Sequence, residues 1–248
     1  MDRRVIRHGV TDSTSERAFA ALAEGSASHG DVHLATAQTR GRGRLGREWS
    51  SPEGGDLYAS LVLLPPPPGY DPVGLTMAVG LGVLRGLERA GGDELTLKWP
   101  NDVVDAAGAK LAGILVESRG LQPDAPHYVA GFGVNITRTE FSAELTAERP
   151  VTSLRLLGVT ADAEGVLEEI LSELEAALTQ LIANPSALCS TFVRRAGLFN
   201  GPLEVQRGRE LCRGRLLELD LEVGLTLETA EGAALTIPLE HVSALRQV

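Results

Sequence analysis

Four arginines and three glycines share residues 40–47, Arg40-Gly-Arg-Gly-Arg-Leu-Gly-Arg47, and Trp49 follows closely. Inside a strand those guanidiniums would lose water without gaining partners, and the glycines oppose a helix. The run reads as a loop. Its chemistry is anion binding, because a guanidinium presents a planar fork of donors to carboxylate or phosphate. In a chain of net charge −10 it is also a local reversal of sign. A merely solvated basic loop is the plainer alternative, and the glycine spacing with Trp49 weighs against it. An arginine–glycine tail that binds RNA would be longer and more repetitive.

Three further clusters carry polar groups at the ends of apolar runs: Ser13-Thr14, Trp99 to Asp102 together with Lys110, and Gly131 to Asn135. Lys110 opens the apolar stretch Leu-Ala-Gly-Ile-Leu-Val, where a lysine either snorkels to water or meets a buried charge. Asp102 follows Asn101, and either ends a turn or holds Mg²⁺, which favours one or two carboxylates plus phosphate oxygens. Gly131 and Gly133 alternate along one strand face and cost stability unless something must approach closely there. Neither GxxxxGK[ST] nor a strand–GxGxxG–helix unit is present, so phosphate cradles of those two kinds are excluded.

The elements that must position these groups follow from periodicity. Arg4 to His8 is a short strand candidate, and Ser13 with Glu16 reads as a capping box opening a helix with Ala18, Phe19 and Leu22 on one face. Val32 to Ala37 and Leu57 to Leu64 are strands flanking the arginine loop, the second closed by Pro65 to Pro68. Gly74 to Arg89 has helical spacing, and its small residues Ala78, Gly80 and Gly82 mark it as a central helix; Gly91-Gly92 stops it. Leu95 to Trp99, Leu111 to Glu117 and Tyr128 to Ile136 are strands, with a hairpin turn at Asp105 to Gly108. Asp162 to Ile182 is an amphipathic helix ended by Asn184-Pro185. Short strands after Gly201 suggest a small barrel leaning on a larger domain.

Composition narrows the class. A chain of 248 residues, 43% hydrophobic, can bury a full core as one large domain plus a small one. Its acidic balance opposes a general nucleic-acid binder. No stretch is long and apolar enough for a membrane span or signal peptide, and Cys189 and Cys212 with scattered histidines form neither a disulfide framework nor a zinc site. The expectation is a soluble cytoplasmic protein.

The motifs resemble the biotin–protein ligases, also called biotin–[acetyl-CoA-carboxylase] ligases. The matching pieces are Asp12-Ser-Thr-Ser15, Gln38 through Trp49, Lys98-Trp-Pro-Asn-Asp102, Lys110-Leu-Ala-Gly-Ile-Leu115 and Gly131-Phe-Gly-Val-Asn135, in the family's order over residues 12 to 136. The resemblance implies an α+β fold: a class II synthetase-like catalytic domain of the biotin–lipoate ligase type, with a mixed sheet and packed helices, over 1–200. A small SH3-like β-barrel would follow over 201–248. No segment resembles the DNA-binding domain of some members, so the resemblance is to the single-function class.

It further implies ATP-dependent formation of biotinyl-5'-AMP from biotin, and transfer of biotin to a lysine of a biotin carboxyl carrier protein. No specific nucleic acid or membrane is involved, and a homodimer is compatible. By resemblance Ser13, Thr14, Gln38, Gly41, Arg42, Gly113 and Gly131 line the biotin side. Arg44, Arg47, Trp49, Asn101 and Asn135 face the nucleotide, and Lys110 bridges biotin carboxylate and α-phosphate. Asp102 stands near Mg²⁺ or the incoming lysine. Ser15 replaces a usual Asn. Glu240-His-Val-Ser243 replaces a usual Gly-Glu-Val-Ser, so no nucleotide contact is expected there.

Overall fold

The computed structural model describes residues 3–65, 70–119 and 127–248, so part of the predicted Pro65–Pro68 stop lies outside the described residues. The chain runs β1 (Val5–Arg7), β2 (Val10–Thr11), α1 (Thr14–Ala23), β3 (Val32–Ala35), β4 (Ala37–Gln38), β5 (Leu57–Leu63) and α2 (Pro72–Arg89). There follow β6 (Thr96–Lys98), β7 (Asp102–Val104), β8 (Lys110–Glu117), β9 (Tyr128–Val134), α3 (Ala143–Glu148), α4 (Ala163–Ala183) and α5 (Pro185–Arg195). The last elements are β10 (Pro202–Arg207), β11 (Glu210–Asp220), β12 (Gly224–Glu228), β13 (Ala234–Ile237) and β14 (Val242–Gln247).

A sheet of order β1-β3-β5-β9-β8-β7-β6 forms the frame. It is mixed, because β1 and β3 are parallel and the remaining pairs antiparallel. Successive side chains point to opposite faces of a strand, and here both faces are used. Ala59 and Leu61 of β5, Ala130 and Phe132 of β9, and Ala112 and Ile114 of β8 join the core beneath α2 and α4. On the opposite face Val62 and Val129 pack under Ala18 and Phe19 of α1. The neighbouring positions on that face, Ser60, Gly113, Gly131 and Gly133, are small and border a cavity.

The central helix is as its small residues predict. A Cβ on Gly82 would stand 2.8 Å from the Leu174 Cα, and one on Gly86 would stand 2.6 Å from the Ile170 backbone nitrogen, so α2 and α4 meet backbone against backbone. Asp162 caps α4 by accepting from the Glu164 and Gly165 amides. Asn184, read as a stop signal, also caps a further helix, α5, accepting from Ala187 N at 3.0 Å.

Two expectations are corrected. Ser13 is the N-cap of α1, but its hydroxyl makes no capping bond. Asp12 Oδ1 satisfies the Ser13 amide at 2.8 Å, and Glu16 is drawn instead to Arg42 and Arg119. Two guanidiniums outcompete one backbone N–H for a carboxylate. The second correction concerns the C-terminal strands, which make an open sheet, not a closed barrel. Their order is β13-β12-β11-β10-β14, with β13 and β14 at opposite edges and no ladder between them. The four-residue β13 pairs only with β12, and a single 3-10 turn at Leu239–His241 carries the chain across to β10. The inner face of this sheet needs no closure, since Leu203, Val205, Leu216 and Leu245 share the main core.

At the sheet edge His33 is 3% exposed and stacks on His8, whose Nε2 lies 2.9 Å from the His33 Nδ1. Burial, with the nearby charge of His8, pushes the His33 pKa down to about 4. The unfolded chain therefore binds a proton that the folded chain refuses between about pH 6.5 and pH 4, and stability falls as pH drops through that window. Going from about pH 7.5 to about pH 5 should cost about 2 kcal/mol. Urea denaturation at the two pH values checks this, and His33→Gln should flatten the difference.

Candidate active site

The floor of the cavity is a chain of hydroxyls that the sheet and α1 bring together. Thr14 sends both its backbone N–H and its hydroxyl to Gln38 Oε1, at 2.8 and 3.2 Å. Thr14 Oγ1 and Ser15 Oγ lie 2.7 and 3.1 Å from Ser60 Oγ. Gln38 Nε2 donates to Ser51 Oγ at 2.8 Å, and Ser51 donates to Trp49 O at 3.0 Å. Buried polar groups keep their places only when bonded in this way. Gly131 permits the approach, since a Cβ there would stand 3.0 Å from Ser15 Oγ.

The arginine run folds as a short hairpin over this floor. Trp49 N donates to Gly41 O at 3.0 Å and Gly43 N to Arg47 O at 2.8 Å, with a 3-10 turn at Arg44–Gly46. Leu45 at the tip has φ of 57° and stands 90% exposed. Such a backbone conformation is costly for a branched side chain unless the loop imposes it. The four guanidiniums part company. Arg40 and Arg42 turn outward to carboxylates, Asp12 for the first, Glu16 and Glu117 for the second. Arg44 reaches Asn101 Oδ1 at 3.5 Å, the outer limit of a hydrogen bond, and Asn101 Nδ2 is held by Ile114 O at 2.7 Å. Arg47 lines the cavity with no ion-pair partner among the described residues.

Trp49 lies flat on the sheet where side chains are missing. A Cβ on Gly113 would stand 2.8 Å from its ring, and one on Gly133 would collide with its Nε1 and Cε2. Beneath it Lys110 is 9% exposed, its Nζ 5.2 Å from the Trp49 ring centroid and 2.6 Å from Asp102 Oδ1. The contact with Asp102 is an ion pair that falls short of an aligned hydrogen bond. Burial pushes the Lys110 pKa down, and the Asp102 charge pulls the other way. A buried ammonium with one carboxylate partner is poised to receive a second anion.

The cavity measures about 490 Å³. Ser13, Thr14, Gln38, Arg42, Arg44, Arg47, Trp49, Asn101, Asp102, Lys110, Gly113 and Gly131 all border it. Two expected residues do not. Gly41 is packed inside the hairpin, where a Cβ would meet Ser51 Oγ at 2.6 Å and also Trp49 O. Asn135 is buried with its Nδ2 on Thr152 O at 2.9 Å, bracing the segment that follows α3. The sequence reading gave Ser15 only as a motif residue, expected no contact at Ser243, and missed Ser60 and Arg149, all of which border the cavity. Ser60 had a signal, a small hydroxyl side chain inside a mostly apolar strand. Ser243 had none, because only the packing of β14 brings it to the rim, where no ligand contact was expected.

Among the described residues no group of three or more His, Cys, Asp or Glu side chains could hold a metal ion, and no helix is long and apolar enough to cross a membrane.

A hydroxyl floor, a buried lysine–aspartate pair and an arginine hairpin meet over a mixed sheet in one polar cleft. The chain belongs to the Biotin/lipoate A/B protein ligase family, whose model matches residues 8–135. It is 35% identical over 174 residues to the bifunctional ligase/repressor BirA of Bacillus subtilis, covering 69% of this chain and 52% of that protein, so it spans about half the length of that relative. It is 38% identical over 175 residues to the biotin–[acetyl-CoA-carboxylase] ligase of Mycobacterium tuberculosis, covering 68% and 62%. The biotin protein ligase from Aquifex aeolicus, solved in complex with biotin and ATP, superposes with a TM-score of 0.80 at 29% identity, covering 98% of this chain and 99% of that one.

Proposed function

We propose that this chain is an ATP-dependent biotin–protein ligase, which joins biotin to AMP with release of pyrophosphate and then passes biotin to a lysine of a carboxyl carrier protein. The observation that carries the reading is the placement of Lys110: buried, paired with Asp102, roofed by Trp49, and set between the hydroxyl floor and the arginine hairpin. Residues 1–200 would carry the chemistry, with 201–248 as an appended unit that adds Ser243 and Ala244 to the rim.

The chemistry follows from charge. Carboxylate and α-phosphate are both anionic, so their approach requires fixed cations where the charges meet. Lys110 neutralises both partners as a carboxylate oxygen attacks phosphorus and the bond to pyrophosphate breaks. Asp102 keeps Lys110 charged despite burial and fixes its position. Arg44 and Arg47 face the phosphates, and the Trp49 ring offers an apolar roof that excludes water from a hydrolysable mixed anhydride. In the second step the amine of the acceptor lysine attacks the acyl carbon, AMP leaves, and the amine gives up a proton.

The hydroxyl floor favours biotin over a plain fatty acid. The ureido ring of biotin brings two N–H donors and a carbonyl that can join the bonded network of Thr14, Ser15, Gln38 and Ser60, whereas an alkyl chain offers that polar floor no hydrogen bond. Asp102 makes a poor resident metal site, because it is a single carboxylate with one oxygen facing Lys110, and the charges of Arg44 and Arg47 are felt at the same place. Mg²⁺ would enter as the counter-ion of the ATP phosphates. Exchange of label between pyrophosphate and ATP tests the reading: biotin should support it, while exchange driven by lipoate or octanoate but not biotin would overturn it.

A further inference from the structure

The base of the hairpin is tied to the first helix and to the sheet by the ion pairs of Arg42. Arg42 is bonded by Glu16 on α1, and its Nη2 lies 2.7 Å from Oε1 of Glu117 at the end of β8. A second cation, Arg119, donates to the same Glu16 at 2.8 Å and lies over the Phe19 ring, 4.1 Å from its centroid. Two arginines and two glutamates thus tie the hairpin, the first helix and the sheet together in a charge-neutral cluster. Arg42 stands between two cavities, bordering both the candidate active site and a larger groove of about 900 Å³ along α1. The Arg42 charge is already matched, so Arg44 and Arg47 are the arginines of the run left to meet an anion.

We propose that Glu16 and Glu117 are positioning residues for the arginine hairpin, latching its base through Arg42 so that only the tip from Gly43 to Gly46 moves when the cleft opens. The inference rests on the ligase reading for its consequence, retention of the activated acid, and on the ion pairs alone for the latch. Four like charges within eight residues repel one another, and the three glycines make the run entropically costly to order. Pinning Arg42 to two carboxylates removes one repelling charge and fixes the hairpin where it enters the cleft. Neither glutamate borders the cleft itself, so a change at either acts through Arg42.

The test uses Glu117→Gln and Glu16→Gln in the full chain, both nearly isosteric. Without ligand, trypsin should cut at Arg44 and Arg47 several-fold faster in each variant than in the parent, at an unchanged melting temperature. The half-life of preformed biotinyl-AMP on the protein should shorten about tenfold, while saturating pyrophosphate exchange stays within about twofold of the parent. Cleavage at the parent's rate in both variants would overturn the latch. Faster cleavage with an unchanged adenylate half-life would overturn its role in retention. Failure of the ligase reading shows separately, as absence of biotin-dependent exchange in the parent, and the ligand-free cleavage assay does not depend on it.

Discussion

Lys110→Ala is expected to lower single-turnover formation of biotinyl-AMP by roughly a hundredfold, equivalent to about 3 kcal/mol of transition-state stabilisation. The lysine is 9% exposed and lies 2.6 Å from Asp102, so it is no snorkelling surface group. The ammonium is the deepest cation of the cleft, and its removal leaves the Asp102 carboxylate uncompensated beside an incoming carboxylate and phosphate. That repulsion adds to the lost attraction, which is why the effect should exceed that of removing an exposed arginine. Lys110→Arg should recover little, because a guanidinium is bulkier and planar and presents its charge differently from a compact ammonium. Rapid-quench measurement of the adenylate decides the matter. A parental rate for Lys110→Ala would remove the lysine from the chemistry.

The second large effect is expected from a residue with no functional group. Gly133→Val should reduce kcat/KM for ATP roughly thirtyfold, or about 2 kcal/mol, through the Trp49 ring that rests on the glycine. Any Cβ at 133 would collide with the indole, and β9 is buried along its whole length and cannot retreat. The ring must lift, taking with it the roof over Lys110. Trp49 can swing outward, so the fold should survive, and biotin binding without ATP should change little. The control is Trp49→Ala: the double variant should be no worse than the poorer single one, since both remove the same contact. Additive losses, or a near-parental Gly133→Val, would show that the ring does not work from this position.

Both predictions depend on residues that were legible before any coordinates, and on contacts that were not. The arginine run, Lys110 and the glycine pair stood out because each violates a local rule: charge without partners, a cation opening an apolar strand, glycine inside one. Local violations are visible in a sequence because propensity and burial are properties of residue type. Ser60 obeyed the same logic and was overlooked. The central helix and the strands flanking the loop were equally readable from spacing, since period and stop signals are local.

What spacing could not decide is which partner wins when several compete for one group. Ser13 and Glu16 have the pattern of a capping box, yet Glu16 pairs with Arg42 and Arg119, residues 26 and 103 positions away. Arg42 shares with Arg44 its type and its loop, and only the positions of Glu16 on α1 and Glu117 at the end of β8 neutralise the first and leave the second beside Asn101. The short C-terminal strands are likewise compatible with a barrel. Their sheet stays open because α5 and the main core cover its inner face, a matter of long-range packing that no window of sequence contains. By itself the sequence determined the family, the main elements and the groups able to do chemistry. The tertiary structure decided which of those groups remain free to act, because a charge is available only when no folded neighbour has already neutralised it.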